Sequence, residues 1–261
     1  MMELSTSARD EQILHQLLRE GTLQVEEIAS RLGVSPSTIR RGLRDLESRG
    51  LLRRTHGGAV PVESPLYEPF RYDASFQEQE CLRADEKRRI GFAAASLVRD
   101  GETIAISAGT TATQVARCLR YRTNITIVTN AVNIAMELTN CPGLTVIVTG
   151  GILSGGWFSL LGPIALRSVE ELFYDRAFVG LDGIHPEHGV TSHHPDEAAL
   201  NRAMVRRARQ AVAVADHTKI DHVARAQVCP LPEIDLLITD SGMPEEQAVA
   251  FADRGLEARR V

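Results

Sequence analysis

Long apolar runs are absent from this 261-residue chain. No stretch approaches the roughly eighteen consecutive apolar residues that a membrane helix needs, so no bilayer span is expected. The opening segment, MMELSTSARDEQ, holds no apolar core and does not read as a secretory signal. Cysteine is sparse: Cys81, Cys118, Cys141 and Cys229 lie far apart and form no CxxC pair. That excludes a zinc ribbon and argues against a disulfide framework. Lysine is scarcer still. Of 29 basic residues only Lys87 and Lys219 are lysine. Arginine fills nearly every site where either cation serves, which marks the two lysines as places where arginine will not do; chance retention is the alternative.

What is present suffices for a folded protein. Hydrophobic residues make up 43% of the chain and charged residues 24%, enough for one large core or two ordinary ones. The chain reads as soluble and cytoplasmic. Its net charge of −5 argues at first against nucleic acid. The distribution argues otherwise. Residues 31–54 hold seven arginines against Asp45 and Glu47, a window of +5 on a remainder of −10. A compact basic segment on an acidic body is the footprint of a small DNA-binding module, or else a solvated arginine face.

The periodicity supports the first reading. Residues 8–20 place Ile13, Leu17 and Leu18 on one helical face and stop at Gly21. Residues 25–32 repeat the pattern and stop at Gly33. Ser35 and Pro36 open a third helix, serine as N-cap and proline in the first turn. On that helix Ile39, Leu43 and Leu46 point one way. Ser37, Arg41, Arg44 and Ser48 point the other, with Arg40 on the flank. Arginines and small hydroxyls suit phosphates and guanine edges in a major groove. Helix, short turn and helix at this spacing is a helix-turn-helix. The next segment, LLRRTHGGAVPV, reads as a hairpin wing around His56, Gly57 and Gly58, with Arg53 and Arg54 beside a phosphate backbone.

The stretch SPSTIRRGLRDLESRGLLRRTHGGA, Ser35 to Ala59, resembles the signature of the DeoR family of bacterial transcriptional regulators. The resemblance implies a DNA-binding set of Ser35, Ser37, Thr38, Arg40, Arg41, Arg44, Arg53, Arg54, His56, Gly57 and Gly58. One departure is Gly42, where the family usually has aspartate; glycine there removes a carboxylate from near the arginine face.

Residues 1–62 are therefore read as a winged helix-turn-helix domain, 63–75 as a stiff proline-bearing linker, and 76–261 as a second domain. A helix is expected at about 84–99. Beyond it, continuous apolar runs at 103–107, 125–129, 144–149, 176–181, 211–215 and 235–239 read as parallel strands buried on both faces. Helices fit between them at about 111–120, 131–140, 163–173, 195–208 and 244–253, giving an α/β layered domain.

Ligands gather at the carboxyl ends of such strands. Those ends carry Ser107, Gly109, Thr110 and Thr111; then Thr129 and Asn130; then Gly150 and Gly151; then Asp182; then the DHTK turn ending in Lys219. Glycine, hydroxyl and amide groups at helix starts make a phosphate cradle, and Lys219 adds a mobile cation. Asp182, Glu197 and Asn130 suit sugar hydroxyls. GTT, TN, TGG, GPIALRSVEELFYDRAFVG and DHTK also look like the DeoR effector domain. That resemblance implies a fold similar to ribose-5-phosphate isomerase and a sugar phosphate or related metabolite as effector. Ser107 stands where many relatives carry aspartate.

Six of the eight histidines fall between His185 and His222, but none pairs at metal-binding spacing within a helix, so no metal and no cofactor is expected. The leading reading is a non-enzymatic repressor that binds operator DNA as a dimer or tetramer and is released by a phosphorylated sugar. An isomerase fused to a DNA-binding module is the alternative, with Glu197 and Lys219 as base and enediolate partner. An architectural DNA protein leaves the polar loops without a purpose. Activation in place of repression stays open.

Overall fold

The computed structural model describes residues 6–62 and 74–261. The chain divides into two compact units, Met1–Pro65 and Leu66–Val261.

In the first unit α1 (Thr6–Glu20), a two-residue strand β1 (Leu23–Gln24), α2 (Val25–Leu32) and α3 (Pro36–Ser48) precede a hairpin of β2 (Arg53–Thr55) and β3 (Gly58–Val60). The helices form because each carries one apolar stripe. Ile13, Leu17, Val25, Ile28, Ile39, Leu43 and Leu46 are all buried. Each such side chain contributes roughly 1.5–3 kcal/mol on burial. Gly33 ends α2 in the left-handed region at φ 65°, with the Val34 N–H bonding back to the Ala29 carbonyl. The wing has a third strand that its sequence did not announce. β1 pairs antiparallel with β3, Leu23 opposite Ala59. This explains Gly58: a side chain there would run into the Leu23 carbonyl. Gly58 is thus buried inside the sheet, and Gly57 alone of the two glycines is exposed.

Gly42 likewise looks inward, not toward the arginine face expected above. A Cβ there would lie 3.5 Å from Ile13 Cδ1 and 3.8 Å from both Arg9 Nε and Asp10 Oδ1. These are ordinary contacts. Gly42→Ala is therefore expected to stabilise the module by about 1 kcal/mol through helix propensity alone. A rise in melting temperature checks this; a fall would mean that α1 and α3 are too close for one methyl.

The second unit begins earlier than the linker expectation allows. Residues 63–73 of that linker lie outside the described residues, but Ala74 already opens α4 (Ala74–Cys81). Its anchor is Phe76, fully buried and edge-on to Phe158 at 5.2 Å. The elements that follow are α5 (Ala84–Ala95), β4 (Thr103–Ile106), α6 (Thr110–Leu119), β5 (Ile125–Thr129), α7 (Val132–Leu138) and β6 (Leu144–Val148). A hairpin of β7 (Ile152–Ser154) and β8 (Ser159–Leu161) leads to α8 (Pro163–Glu170) and β9 (Tyr174–Val179). Then come β10 (Gly183–His185), β11 (Gly189–Ser192), α9 (Pro195–Arg207), β12 (Ala208–Val214), β13 (Ala226–Cys229), β14 (Leu236–Thr239), α10 (Glu245–Ala252) and β15 (Glu257–Arg260).

Seven strands form one parallel sheet in the order β6-β5-β4-β9-β12-β14-β15. All six expected strands are in it. The seventh, β15, reads EARR and has no apolar run, because as an edge strand it is held by backbone pairing to β14. A small antiparallel sheet, β10-β11-β13, lies apart. Neighbours on β9 serve opposite cores: Ala177 and Val179 pack with Met204, Leu237 and Phe251, while Phe178 packs with Val115, Ile127 and Val212. That is why these strands read as unbroken apolar runs. From β4 the chain builds outward first through β5 and β6, then on the other side through β9, β12, β14 and β15. The strand order therefore reverses between β4 and β9, where an open parallel sheet leaves a crevice at its carboxyl edge.

Candidate functional site

On the first unit, the hydroxyls and arginines divide by what they already touch. The Thr38 N–H donates to Ser35 Oγ at 3.2 Å, and Ser35 Oγ lies 2.8 Å from both Ser37 Oγ and Thr38 Oγ1. These three hydroxyls close the start of α3. Arg40 donates to Glu26 at 2.8 Å. Arg54 donates to Glu47 from its N–H at 2.9 Å and its Nε at 2.6 Å, and these bonds hold the Glu47 carboxyl below its ordinary range. Exposed pairs of this kind are worth about 1 kcal/mol or less, so phosphates can displace them. Arg41, Arg44 and Arg53 are exposed and pair with no described residue. A hollow between α3 and the wing is lined by Arg40, Arg44, Glu47, Arg54, Thr55 and Gly57. His56 is exposed at the hairpin tip.

In the second unit a cavity of about 220 Å³ opens at the crevice between β4 and β9. Of the residues expected at the strand ends, Gly109, Thr110, Thr111, Asn130, Asp182, Glu197 and Lys219 line it. Gly109 precedes α6 at φ 130°, a conformation suited to glycine, and no side chain caps this helix start. The first N–H groups of α6 are therefore open to an anion. Lys219 ends a short turn that Asp216 fixes by accepting from the Thr218 N–H at 3.0 Å.

Four expected residues do not line the cavity. Ser107 is buried, with its Oγ accepting from the Gly180 N–H at 2.9 Å. Thr129 is buried and donates to the Ile106 carbonyl at 2.7 Å. Both shape the loops that bear the lining. Gly150 and Gly151 follow β6, which is the outermost strand on its side, so their loop does not reach the crevice. Asn130 lines the cavity with both ends of its amide engaged: its Oδ1 accepts from the Ala108 N–H at 3.1 Å and its Nδ2 donates to Ser159 Oγ at 2.9 Å.

Sequence reasoning missed other lining residues. Lys87 of α5 is 3% exposed, faces the cavity and donates to the Gln79 carbonyl. Burial lowers the pKa of its ammonium, against the opposing pull of Asp216. The signal was available. Lys87 shares the stripe of Ile90 and Ala94, an inward position for a lysine in a chain with only two. Ser192, His193 and His194 come from the end of β11, whose sequence GVTS has no apolar run to announce a strand.

The cavity is thus polarised. Lys87, Lys219 and the α6 start carry the positive side, where the Asp216 carboxylate also lines the cavity and attracts the Lys87 ammonium. Asp182 and Glu197 carry the negative side and converge on Ser192 Oγ, which is 3.0 Å from Asp182 Oδ2 and 3.4 Å from Glu197 Oε2.

A family model described as the DeoR-like helix-turn-helix domain matches residues 9–65, and one described as the DeoR C-terminal sensor domain matches residues 82–241. The chain belongs to the DeoR family. Full-length relatives agree. The HTH-type transcriptional regulator GolR of Listeria innocua is 34% identical over 96% of this chain and 97% of its own length. The HTH-type transcriptional regulator GlpR of Haloferax volcanii is 36% identical over 89% of each. The HTH-type transcriptional repressor GlcR of Bacillus subtilis is 33% identical over 93% of this chain and 91% of its own. This DeoR-family chain is a DNA-binding transcriptional regulator with a sensor domain. Among solved structures, ribose 5-phosphate isomerase A of Methanocaldococcus jannaschii overlaps 52% of this chain and 54% of its own at 18% identity and a TM-score of 0.40.

Within the sensor cavity, burial pushes the Glu197 carboxyl above its ordinary range and the nearby Asp182 charge adds to the shift. The ionised form is therefore penalised in the folded state. The penalty is full above the folded pKa and vanishes as pH falls through it toward the ordinary value of 4.5. Glu197→Gln is expected to raise the melting temperature at neutral pH and to lose that advantage in acid. Equal melting of the two proteins at neutral pH would place Glu197 in a more solvated setting.

Proposed function

We propose that this DeoR-family regulator represses genes of sugar or polyol metabolism and leaves its operator when a phosphorylated sugar fills the sensor cavity. The observation that carries this is the polarity of the cavity. Lys87, Lys219 and the open start of α6 suit a phosphate, and Asp182 and Glu197 suit the hydroxyls at the other end of a polyol. Binding there shifts the balance between operator-competent and operator-incompetent arrangements. The working form is a homo-oligomer, because one helix-turn-helix reads only half of a two-fold site. The protein acts in the cytoplasm and needs no metal or cofactor for this role. Turnover of the sugar is not part of it, although Glu197 and Lys219 share the cavity as an isomerase would require.

The test is a panel of sugar phosphates scored for thermal shift and for product. A ligand present at a hundred times its dissociation constant adds roughly 2.7 kcal/mol of stability. Shift without product, with loss of operator binding, is the expected result. Product formation would make the chain an enzyme. No shift with any phosphorylated sugar would remove the effector class.

A further inference from the structure

The sensor cavity has an aromatic wall that its charged ends leave unexplained. Trp157, the one tryptophan of the chain, lines it half-buried. The rest of its apolar lining, Ala108, Leu181, Val214 and Ala215, offers no flat face. The backbone holds the indole in this place. Trp157 ends a short turn, Gly155–Trp157, between β7 and β8. Phe158 follows in the left-handed region at φ 55°, a costly conformation for a bulky side chain. It is locked there. Its carbonyl accepts from the Val132 N–H at 2.9 Å, and two residues on the Leu160 N–H donates to the Asn130 carbonyl at 2.7 Å. Consecutive side chains of an extended chain point to opposite faces. Here both reach one ring: Phe76 of α4 meets Phe158 at 5.2 Å and Trp157 at 6.4 Å, each edge-on. The indole is thus braced by a fully buried phenyl ring. Backbone strain of this kind collects at ligand sites, where it sets a side chain in advance.

A flat aromatic face selects what lies against it. Lys87, Lys219, Asp182 and Glu197 suit a phosphate and hydroxyls, which an open-chain polyol phosphate and a closed sugar ring carry alike. The two ligands differ in shape. A closed ring holds several C–H bonds on one face, and that apolar face packs on an indole. An open chain presents such a face only after its rotors are ordered, which costs affinity. We propose that Trp157 is the specificity-determining residue of the sensor cavity, a platform for the C–H face of a cyclic sugar phosphate. The regulator then answers to ring sugars in preference to open-chain polyol phosphates. The proposal rests on the sugar-phosphate reading of this cavity and narrows it.

The experiment sets each aldose phosphate of a panel, glucose 6-phosphate and ribose 5-phosphate among them, beside its own alditol phosphate. Reduction at C1 removes the carbonyl that closes the ring and keeps the phosphate and the hydroxyls. The full chain and the variants Trp157→Ala, Trp157→Leu and Trp157→Phe are titrated by calorimetry, after melting curves establish that each is folded. The wild type carries a single tryptophan, so its fluorescence reports on this position alone. Wild type is expected to bind an aldose phosphate more tightly than its alditol and to change its emission on binding. Trp157→Ala and Trp157→Leu should raise the dissociation constant for the aldose phosphate roughly tenfold or more and leave that for the alditol phosphate nearly unchanged. Trp157→Phe, which keeps a ring, should retain most of the preference. Aldose and alditol weakened equally would make Trp157 a structural residue and overturn the proposal. So would an alditol bound as tightly as its aldose by wild type, or an aldose phosphate bound without a change in emission. Each of these leaves the sugar-phosphate reading standing. Binding of no phosphorylated sugar at all would overturn both. Should Trp157→Ala fail to fold, Trp157→Leu, which keeps apolar bulk against Phe76 but no flat face, decides the question.

Discussion

Replacing Arg41 with alanine is expected to weaken operator binding by about 1–3 kcal/mol, roughly five- to 150-fold. Arg41 lies on the exposed face of α3, opposite the buried Ile39 and Leu43, and no described residue neutralises it. Recognition helices present such residues to base edges in the major groove. A guanidinium that meets guanine bidentately gives a loss confined to one base position. One that meets a phosphate gives an equal loss on every sequence. Gel-shift titration on an operator and on single-base variants, at fixed salt, separates the two. Arg53→Ala supplies the contrast. Arg53 is exposed on the wing strand β2, so its loss should weaken all sequences alike and flatten the salt dependence by about one counterion. Unchanged affinity in Arg41→Ala would remove α3's arginine face from the interface.

The parts of this molecule that were legible in sequence are those fixed by local periodicity. Ile39, Leu43 and Leu46 recur at helical spacing, and that spacing alone divides α3 into a buried and a basic face. The interior strands were legible because burial on both sides demands unbroken apolar runs. β15 was not, since an edge strand needs backbone partners more than apolar side chains. Strand order was not legible either, because it is decided by which helices cross which face. That is why Gly150 and Gly151 seemed equivalent to Gly109: each follows a strand, but β4 is central and β6 is an edge. Gly58 was misread for a related reason. Its need for glycine comes from β1 crossing beside it, a contact more than thirty residues distant in sequence. Lys87 was hidden in plain view, a lysine in an apolar stripe whose partners all lie on other elements.

The two lysines carry the last prediction. Lys219 closes a turn that Asp216 caps and that the buried Ile220 anchors, so its position depends little on its own charge. A phosphate held by Lys219, Lys87 and the start of α6 gains charge-assisted hydrogen bonds of about 1.5–3 kcal/mol each. Lys219→Ala is therefore expected to bind operator as wild type does and to need tenfold or more sugar phosphate for release. Lys219→Arg should rescue poorly if the site takes a compact cation, as retention of lysine in an arginine-rich chain suggests. Lys87→Met should also lose the response, but with a second signature. Its buried ammonium is penalised in the folded state, so removing it should raise the melting temperature without ligand. Because its folded pKa is depressed, that gain is full at neutral pH and fades as pH rises through the folded value toward 10.5. Operator release titrated with the sugar phosphate, beside melting curves across pH, reads both effects. Unchanged release midpoints in Lys219→Ala and Lys219→Arg would take Lys219 out of the site. Loss of operator binding without sugar would make it structural. A Lys87→Met protein that melts lower than wild type would mean that the bond to the Gln79 carbonyl outweighs the burial of the charge, and that Lys87 is held there for the fold.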